Sequence, residues 1–408
     1  MKYLYHSYII LFSLLPISFI IGNGPWNINF FLLSSLGLLF LIKNFRSIND
    51  LIGQYKYFVI FLGIFSFYII FYSFFSEYRN ESFSRSLPFL KYFFVFIGLL
   101  IVNDKIIFKK KEIIFFIIIL FLSIFIVLTS SFAELLRLDV PIYTKASVDY
   151  RLAGPFGDEE IVGIYLFSFL PSLIFIFDKI KLNIFLKYPI LFIIFFIILA
   201  SGERMAIIMT IALFYFYFFF KSKKIIISIS IIGILLLTSF FVFSESLLNP
   251  KNKNDYLFRI QQTLNEISNP LNTSYVIHYR TALEIFRENP ILGKGVKSFR
   301  YECGKDIYNK INKNKNARCR THPHNLHLEI LSETGLLGYI LFILFLYYYI
   351  KNNSNHISLN QNLILYLALF IAIFPLRVSG SLFSSIYGGL FWYQFFVLYL
   401  LGSKKIIK

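Results

Sequence analysis

The sequence predicts an all-α polytopic membrane protein of about twelve transmembrane helices, with a large external loop between helices nine and ten. Three observations carry that class. Of 408 residues, 57% are apolar and only 15% charged, where a soluble domain carries about 25% charged. A spanning helix uses ~20 apolar residues, so the apolar content nearly fills about twelve of them. The apolar runs are unbroken rather than alternating, which argues against an outer-membrane barrel. The same arithmetic excludes a soluble enzyme, a disordered chain and a nucleic-acid-binding domain, in spite of a net charge of +18.

The runs are expected in order along a single membrane domain, 1–408. The first, 4–21, follows one Lys, has no small-residue cleavage pattern behind it and is closely followed by a second. It reads as a retained helix rather than a signal peptide. Runs at 27–42, 57–76, 86–102 and 113–129 come next. After a first long loop (about 129–160) come 161–177, 184–200, 204–220 and 224–243. After the second and larger loop, 244–334, come 335–350, 357–376 and 382–401. Phe and Ile dominate, and 52 Phe suit lipid-facing surfaces.

Basic residues orient the bundle. Alternate connections hold Lys2; Lys43, Arg46 and Lys56; Lys105 and Lys109 to Lys111; Lys179, Lys181 and Lys187; Lys221, Lys223 and Lys224; Lys351; and Lys404, Lys405 and Lys408. These are placed inside, so both termini are expected in the cytoplasm. Arginine falls mostly on the other side: Arg79, Arg85, Arg137, Arg151, Arg204, Arg259, Arg280, Arg287, Arg300, Arg318, Arg320 and Arg377. A guanidinium binds phosphate in a bidentate fork and stays charged, so an Arg-rich external face suggests an anionic ligand. The alternative is solvated loop charge and headgroup contact.

The large loop is too long and polar to be a mere connection. It reads as a turn-rich start (Asn249 to Asn254), a helix from Tyr275 to Glu288 ended by Pro290, Gly293 and Gly295, and a flexible tip at Asn309 to Lys315. Its two cysteines, Cys303 and Cys319, are a disulfide candidate if the loop lies in an oxidising compartment. Otherwise they are two unpaired small apolar residues.

Four of the six histidines fall in this loop: His278, His322, His324 and His327. Three crowd into Thr321-His-Pro-His-Asn-Leu-His-Leu-Glu329, which leads into the tenth span. Pro323 sets an extended approach. Asn325 can cap a helix starting just after it, leaving His324 at the mouth of the bundle. Gly335 and Gly338 are expected on one helix face, where small residues permit close packing. His322, His324 and His327 with Glu329 are also a candidate metal set, although Pro323 opposes the simple helix that would align them. A structural role for the imidazoles stays open. Glu329 and Glu333, like-charged and four apart, are unfavourable on an isolated helix; one is a candidate partner for an external Arg.

His324-Asn325, nine residues, then Gly335-x-x-Gly338 resembles the signature of bacterial O-antigen ligases. Three further stretches resemble the wider O-antigen ligase/polymerase superfamily: Arg151-Leu-Ala-Gly-Pro-Phe-Gly157, Ser201-Gly-Glu-Arg204, and Tyr279-Arg280 through Pro290-Ile-Leu-Gly-Lys-Gly295. Together they cover about 150–340. The resemblance implies that His324 is catalytic, that Arg204 and Arg280 hold a lipid diphosphate, and that Arg151 is a further substrate-binding arginine. Asn325, Gly335 and Gly338 would support the site. Glu203 departs from the small residue the family more often has there, and stands to pair with Arg204 or to orient it.

The resemblance further implies a multi-pass protein of the bacterial inner membrane with its active site facing the periplasm, partly on loop 244–334. The expected donor is an undecaprenyl diphosphate-linked glycan and the acceptor lipid A–core or another glycan, with membrane lipids around them. No cofactor, metal or nucleic acid is implied. The residues agree with that chemistry. No Asp-x-Asp pair is present to hold a metal beside a nucleotide diphosphate. Arginines can stabilise charge on a leaving diphosphate. A neutral His can take the acceptor hydroxyl's proton, a contribution of roughly 10²–10⁴ in rate. A single base without a carboxylate pair at glycosidase spacing suggests inversion. The alternatives are an O-antigen polymerase, which extends lipid-linked repeats, and a twelve-helix glycolipid flippase. A flippase needs ionisable groups along its path, and apart from Lys91 the span interiors carry almost none.

Overall fold

The computed structural model describes residues 1–47, 50, 52–105, 110–136, 138, 151–221, 273–356 and 359–402. The expected ninth span (224–243), the turn-rich start at Asn249 to Asn254, residues 139–150 of the 129–160 loop, Arg137, Arg259, Lys109, Lys223, Lys224, Lys404, Lys405 and Lys408 lie outside the described residues. Among the described residues all regular structure is helical.

In chain order the principal helices are α1 Lys2–Ser13, α2 Leu15–Ile21, α3 Asn23–Lys43, α4 Lys56–Ser73, α5 Arg79–Ser86, α6 Leu90–Lys105, α7 Lys110–Leu135, α8 Val162–Lys179, α9 Ile184–Ala200, α10 Arg204–Lys221, α11 Ser274–Glu288, α12 Leu326–His356, α13 Leu359–Ala372 and α14 Ser385–Gly402. Among the described residues, eight helical stretches are long and apolar enough to cross a membrane, nine with α1 and α2 taken as one. Two shorter apolar helices, Ile184–Ala200 and Asn362–Ala372, accompany them. The chain is a multi-pass membrane protein.

The expected first span, 4–21, is a pair of helices bent by 51°. Pro16 sits in the first turn of α2. Having no N–H, it cannot continue the hydrogen-bond ladder of α1, and its ring crowds the preceding turn.

One compact unit comprises Met1–Val127, Ser168–Asn183 and Ile277–Lys408. Within it α3 packs along α6, α4 along α12, and α13 along α14. Trp392, fully buried, has its ring centre 5.7, 5.4 and 5.8 Å from those of Phe89, Tyr92 and Phe345. The phenylalanines divide: Phe12, Phe30 and Phe58 are buried, while Phe31, Phe67 and Phe71 are exposed on apolar helices. Among the described residues Lys91 enters no carboxylate pair, and it does not stand alone. Its Nζ donates to Asn27 Oδ1 at 2.9 Å and lies over the Phe30 and Tyr92 rings, as a cation near aromatic faces does.

The second unit comprises Leu128–Phe167 and Ile184–Val276. It joins the end of α7, the turn from residue 151 and the start of α8 to α9 and α10. Lys187, buried, donates to Tyr217 OH at 3.2 Å, and Phe195 meets Phe214 with ring centres 5.8 Å apart.

Candidate active site

The first unit carries the histidine segment. Its foundation is an interruption in α12. Gly335 has φ 67° and ψ −172°, outside the helical region and in a conformation that favours glycine. Helical bonding is replaced there by bonds to the Pro290-to-Gly295 segment. Lys294 N donates to Ser332 O (3.1 Å) and Gly295 N to Glu333 O (2.8 Å). Leu336 N donates to Pro290 O (2.8 Å) and Leu337 N to Ile291 O (3.1 Å). The expectation that Gly335 and Gly338 share a helix face is therefore corrected. Gly335 is the break itself, and only Gly338 packs as a helical residue, beside Tyr68. Hydroxyls from α4, α5 and their connection hold the docked segment. Tyr72 OH donates to Gly293 O (2.7 Å), Ser76 Oγ to Lys294 O (2.7 Å) and Ser82 Oγ to Val296 O (2.9 Å).

Outside the bundle, Ala282, Ile285, Phe299, Cys303 and Tyr308 form a small core. Cys303 and Cys319 are bonded, with Cα atoms 5.3 Å apart. The expected flexible tip is tied down by Arg318, which is 1% exposed. Its guanidinium donates to Cys303 O (3.1 Å), Asn309 Oδ1 (2.6 Å), Lys305 O (3.4 Å) and Asn312 O.

The arginines expected on the external face divide by partner. Arg318 serves loop carbonyls. Arg377 caps α13 through Ala372 O at 2.9 Å, and Arg79 reaches Phe74 O at 3.0 Å. Arg85 and Arg300 share Glu81, and Arg287 pairs with Glu284. Arg280 and Arg320 are exposed and make no ion pair among the described residues.

The histidine segment is braced by the stretch between α13 and α14. Asn325 Oδ1 accepts from His327 N (3.0 Å) and Leu328 N (3.1 Å), capping α12, while its Nδ2 donates to Pro375 O (2.7 Å). Ser379 N donates to His324 O at 2.9 Å. Between these anchors His324 has φ 59°, a left-handed conformation uncommon outside glycine that persists only where surroundings impose it. His327 Nε2 donates to Ile373 O (2.8 Å), leaving Nδ1 to the Tyr339 hydroxyl (3.0 Å). His322 likewise uses Ser379 O (3.2 Å) and the Thr321 hydroxyl (2.9 Å). Among the described residues no three His, Cys, Asp or Glu side chains are disposed to share a metal ion.

Three imidazoles nevertheless gather. The His324 ring centre lies 4.3 Å from that of His322 and 5.5 Å from that of His278. All three bases are depressed to about 4. Burial is the leading cause in each. For His324 the neighbours His322 and Arg320 add to it, for His278 it is His324 and Arg320, and for His322 Lys297 contributes. The cluster is therefore neutral near pH 7, the state a general base requires.

Glu329 finds a lysine, not an external Arg. Glu329 accepts from Leu382 N (2.8 Å) and from Ser381 Oγ, with Lys297 Nζ 3.7 Å away. Lys297 N donates to Glu333 Oε2 at 2.6 Å. All four of these side chains are nearly inaccessible, so the network couples the docked segment, α12 and residues 381–382 from within.

The second unit holds Arg151, Glu203 and Arg204. Leu152 N donates to Ser201 O (3.3 Å), and Glu134 accepts from Ala153 N (3.2 Å) and Gly154 N (2.8 Å). Arg204 opens α10. The Glu203 carboxylate accepts the N–H groups of Gly163 and Ile164 at the start of α8, so it serves a helix N-terminus. Burial pushes its carboxyl up to about 7 against the lowering effect of those N–H groups and of Arg151.

Sequence reasoning assigned no part to His278, Lys297, Ser379 or Ser381. His278 was visible as a histidine two residues before Arg280. Nothing in local spacing relates the serines to His324, because their proximity arises from the packing of the 373–384 stretch.

A Rickettsia conorii protein provisionally named a polysaccharide ligase is 40% identical over 85 residues, 21% of this chain and 20% of that protein. The aligned stretch thus spans about a fifth of the relative's length. Residues 189–343 match the model of the O-antigen ligase family. The matched residues include His324, Arg204 and Arg280, so over that stretch the chain is similar to O-antigen ligases.

Proposed function

We propose that this chain is a glycosyltransferase that moves a glycan from undecaprenyl diphosphate onto a hydroxyl of lipid A–core, at the periplasmic face of the bacterial inner membrane. The observation that carries this reading is His324: a neutral imidazole held in a left-handed backbone conformation, in a cluster that Arg320 also faces. The oppositely sorted Lys and Arg of the loops support the periplasmic assignment.

In the reaction the acceptor O–H attacks the anomeric carbon and the bond from that carbon to the diphosphate oxygen breaks. The diphosphate leaves with the bonding electrons, and His324 receives the hydroxyl proton. Arg280, with Arg204 and Arg151 by family resemblance, binds the diphosphate and stabilises its developing charge, so no metal is required on the leaving group. One displacement inverts the anomeric centre.

A strain lacking this gene, examined by glycolipid gel, tests the assignment. Full-length lipid-linked chains accumulating beside bare core are expected. Core carrying a single repeat unit would instead indicate the polymerase. His324→Ala and Arg204→Ala should each abolish transfer with the protein still inserted; wild-type transfer by both would remove the proposed centre. Product NMR showing retained configuration would end the single-displacement scheme.

A further inference from the structure

The three clustered imidazoles differ in one respect. His322 spends both ring nitrogens on Ser379 O and the Thr321 hydroxyl. His278 is only 2% exposed, yet among the described residues neither of its nitrogens has a well-aligned hydrogen-bond partner. The Ala317 backbone is near enough to favour the protonated ring slightly, but not within the geometry of a full hydrogen bond. Leaving a buried polar atom unpaired is destabilising, and most such atoms in folded proteins are satisfied. His278 is on the buried face of α11, with Thr281, Ala282 and Ile285. An apolar side chain would suit that face better, so the imidazole is unexplained by packing.

Its neighbour supplies the explanation. The His278 and His324 ring centres are 5.5 Å apart, with ring planes inclined by 33°. That separation accommodates one N–H···N bond of about 3 Å once the rings turn toward each other. A base on one ring nitrogen works best when the opposite N–H is held by an acceptor, which fixes the tautomer and the ring orientation.

We propose that His278 is the positioning residue of His324: in the loaded site it accepts the His324 N–H, directing the other His324 nitrogen at the acceptor hydroxyl. The inference rests on the reading of His324 as the base. As the hydroxyl proton arrives on His324, the ring becomes an imidazolium. Its bond to neutral His278 then becomes charge-assisted, roughly doubling in strength. No proton moves onto His278, and the diphosphate still leaves with the bonding electrons. The interaction strengthens only as the reaction proceeds, so it acts on turnover rather than on substrate binding. The charged and titratable groups facing the pair are His322 and Arg320, with Lys297 and Arg300 behind His322.

The test uses the full chain in nanodiscs, with lipid extract from a strain lacking the gene as substrate and undecaprenyl diphosphate as binding probe. His278→Phe keeps a planar ring, somewhat larger than imidazole, and removes the acceptor. His278→Gln restores an acceptor. The Phe variant should lose at least about tenfold in kcat, part of the ~10²–10⁴ a positioned base provides, with probe binding and KM unchanged. The Gln variant should recover most of that loss. Wild-type kcat in His278→Phe overturns the inference, as does loss of probe binding in both variants, which would assign His278 a structural role. Full transfer by His324→Ala instead overturns the assignment of the base, and this inference with it. An inactive His324→Ala beside a fully active His278→Phe removes only the positioning role.

Discussion

Gly293 and Gly335 meet backbone to backbone. A Cβ on Gly335 would fall 2.3 Å from Ile291 O, and one on Gly293 would fall 2.5 Å from the Gly335 amide nitrogen. Both glycines have positive φ, 75° and 67°. The break in α12 and the Pro290-to-Gly295 turn therefore form one joint.

Gly335→Ala and Gly293→Ala each add a clash to an unfavourable dihedral, and each should destabilise by at least ~1–3 kcal/mol. Gly338→Ala meets the Thr334 side chain and the Tyr68 ring, but at an ordinary helical dihedral and with no backbone atom of another segment in the way, so it adds a clash without the dihedral cost. Thermal unfolding in detergent should rank Gly338→Ala well above the other two; equal melting points for all three would contradict the joint.

Arg318→Ala removes a buried guanidinium and strands its loop acceptors, each worth roughly 1–3 kcal/mol when left unpaired. Limited proteolysis should then cut between residues 305 and 318 in the variant but not in the wild type. An intact loop with lost transfer would mean Arg318 binds ligand after all.

Reducing the Cys303–Cys319 bond releases a cross-link over a sequence separation of 16. A loop of that size contributes about 3 kcal/mol in the chain-entropy account. Dithiothreitol should lower the melting temperature of the wild type and leave Cys303→Ser unchanged.

The depressed histidines set a pH dependence. An unfolded His binds its proton near 6.5, whereas the three clustered ones do so near 4. The unfolded chain therefore holds more protons between those values, and stability falls as pH drops from about 6.5 toward 4. Above 6.5 the contribution is complete. For the free enzyme, the acid limb of kcat/KM should lie clearly below pH 6. A limb at or above 6.5 would place the essential base elsewhere.

Glu203 has the opposite sign. Its folded carboxyl titrates near 7, above its unfolded value, so its contribution is full below about 4.5 and lost as pH rises through 7. Glu203→Gln mimics the protonated form. It should melt at or above the wild type at pH 8 and match it at pH 5; a lower melting point at pH 8 would show that the charged form is the one the fold needs.

Composition alone determined that this chain crosses a membrane many times, because long apolar runs leave water only as backbone-satisfied helices. Local bonds were equally legible: the Asn325 cap joins residues two and three apart, and α11 follows from apolar spacing ended by Pro290. The break at Gly335 was not, because a glycine four residues from its neighbours' helical partners reads the same whether the ladder continues or is exchanged for another strand of chain. Nor was the division of the arginines, since whether a guanidinium meets a carbonyl, a carboxylate or solvent depends on which loop folds beside it. The pairing of His324 with His278 and its bracing by Ser379 belong to the same class. Sequence encodes bonding over one helical turn, whereas contacts between distant segments are chosen by which packing buries the most apolar surface with the fewest unpaired polar groups.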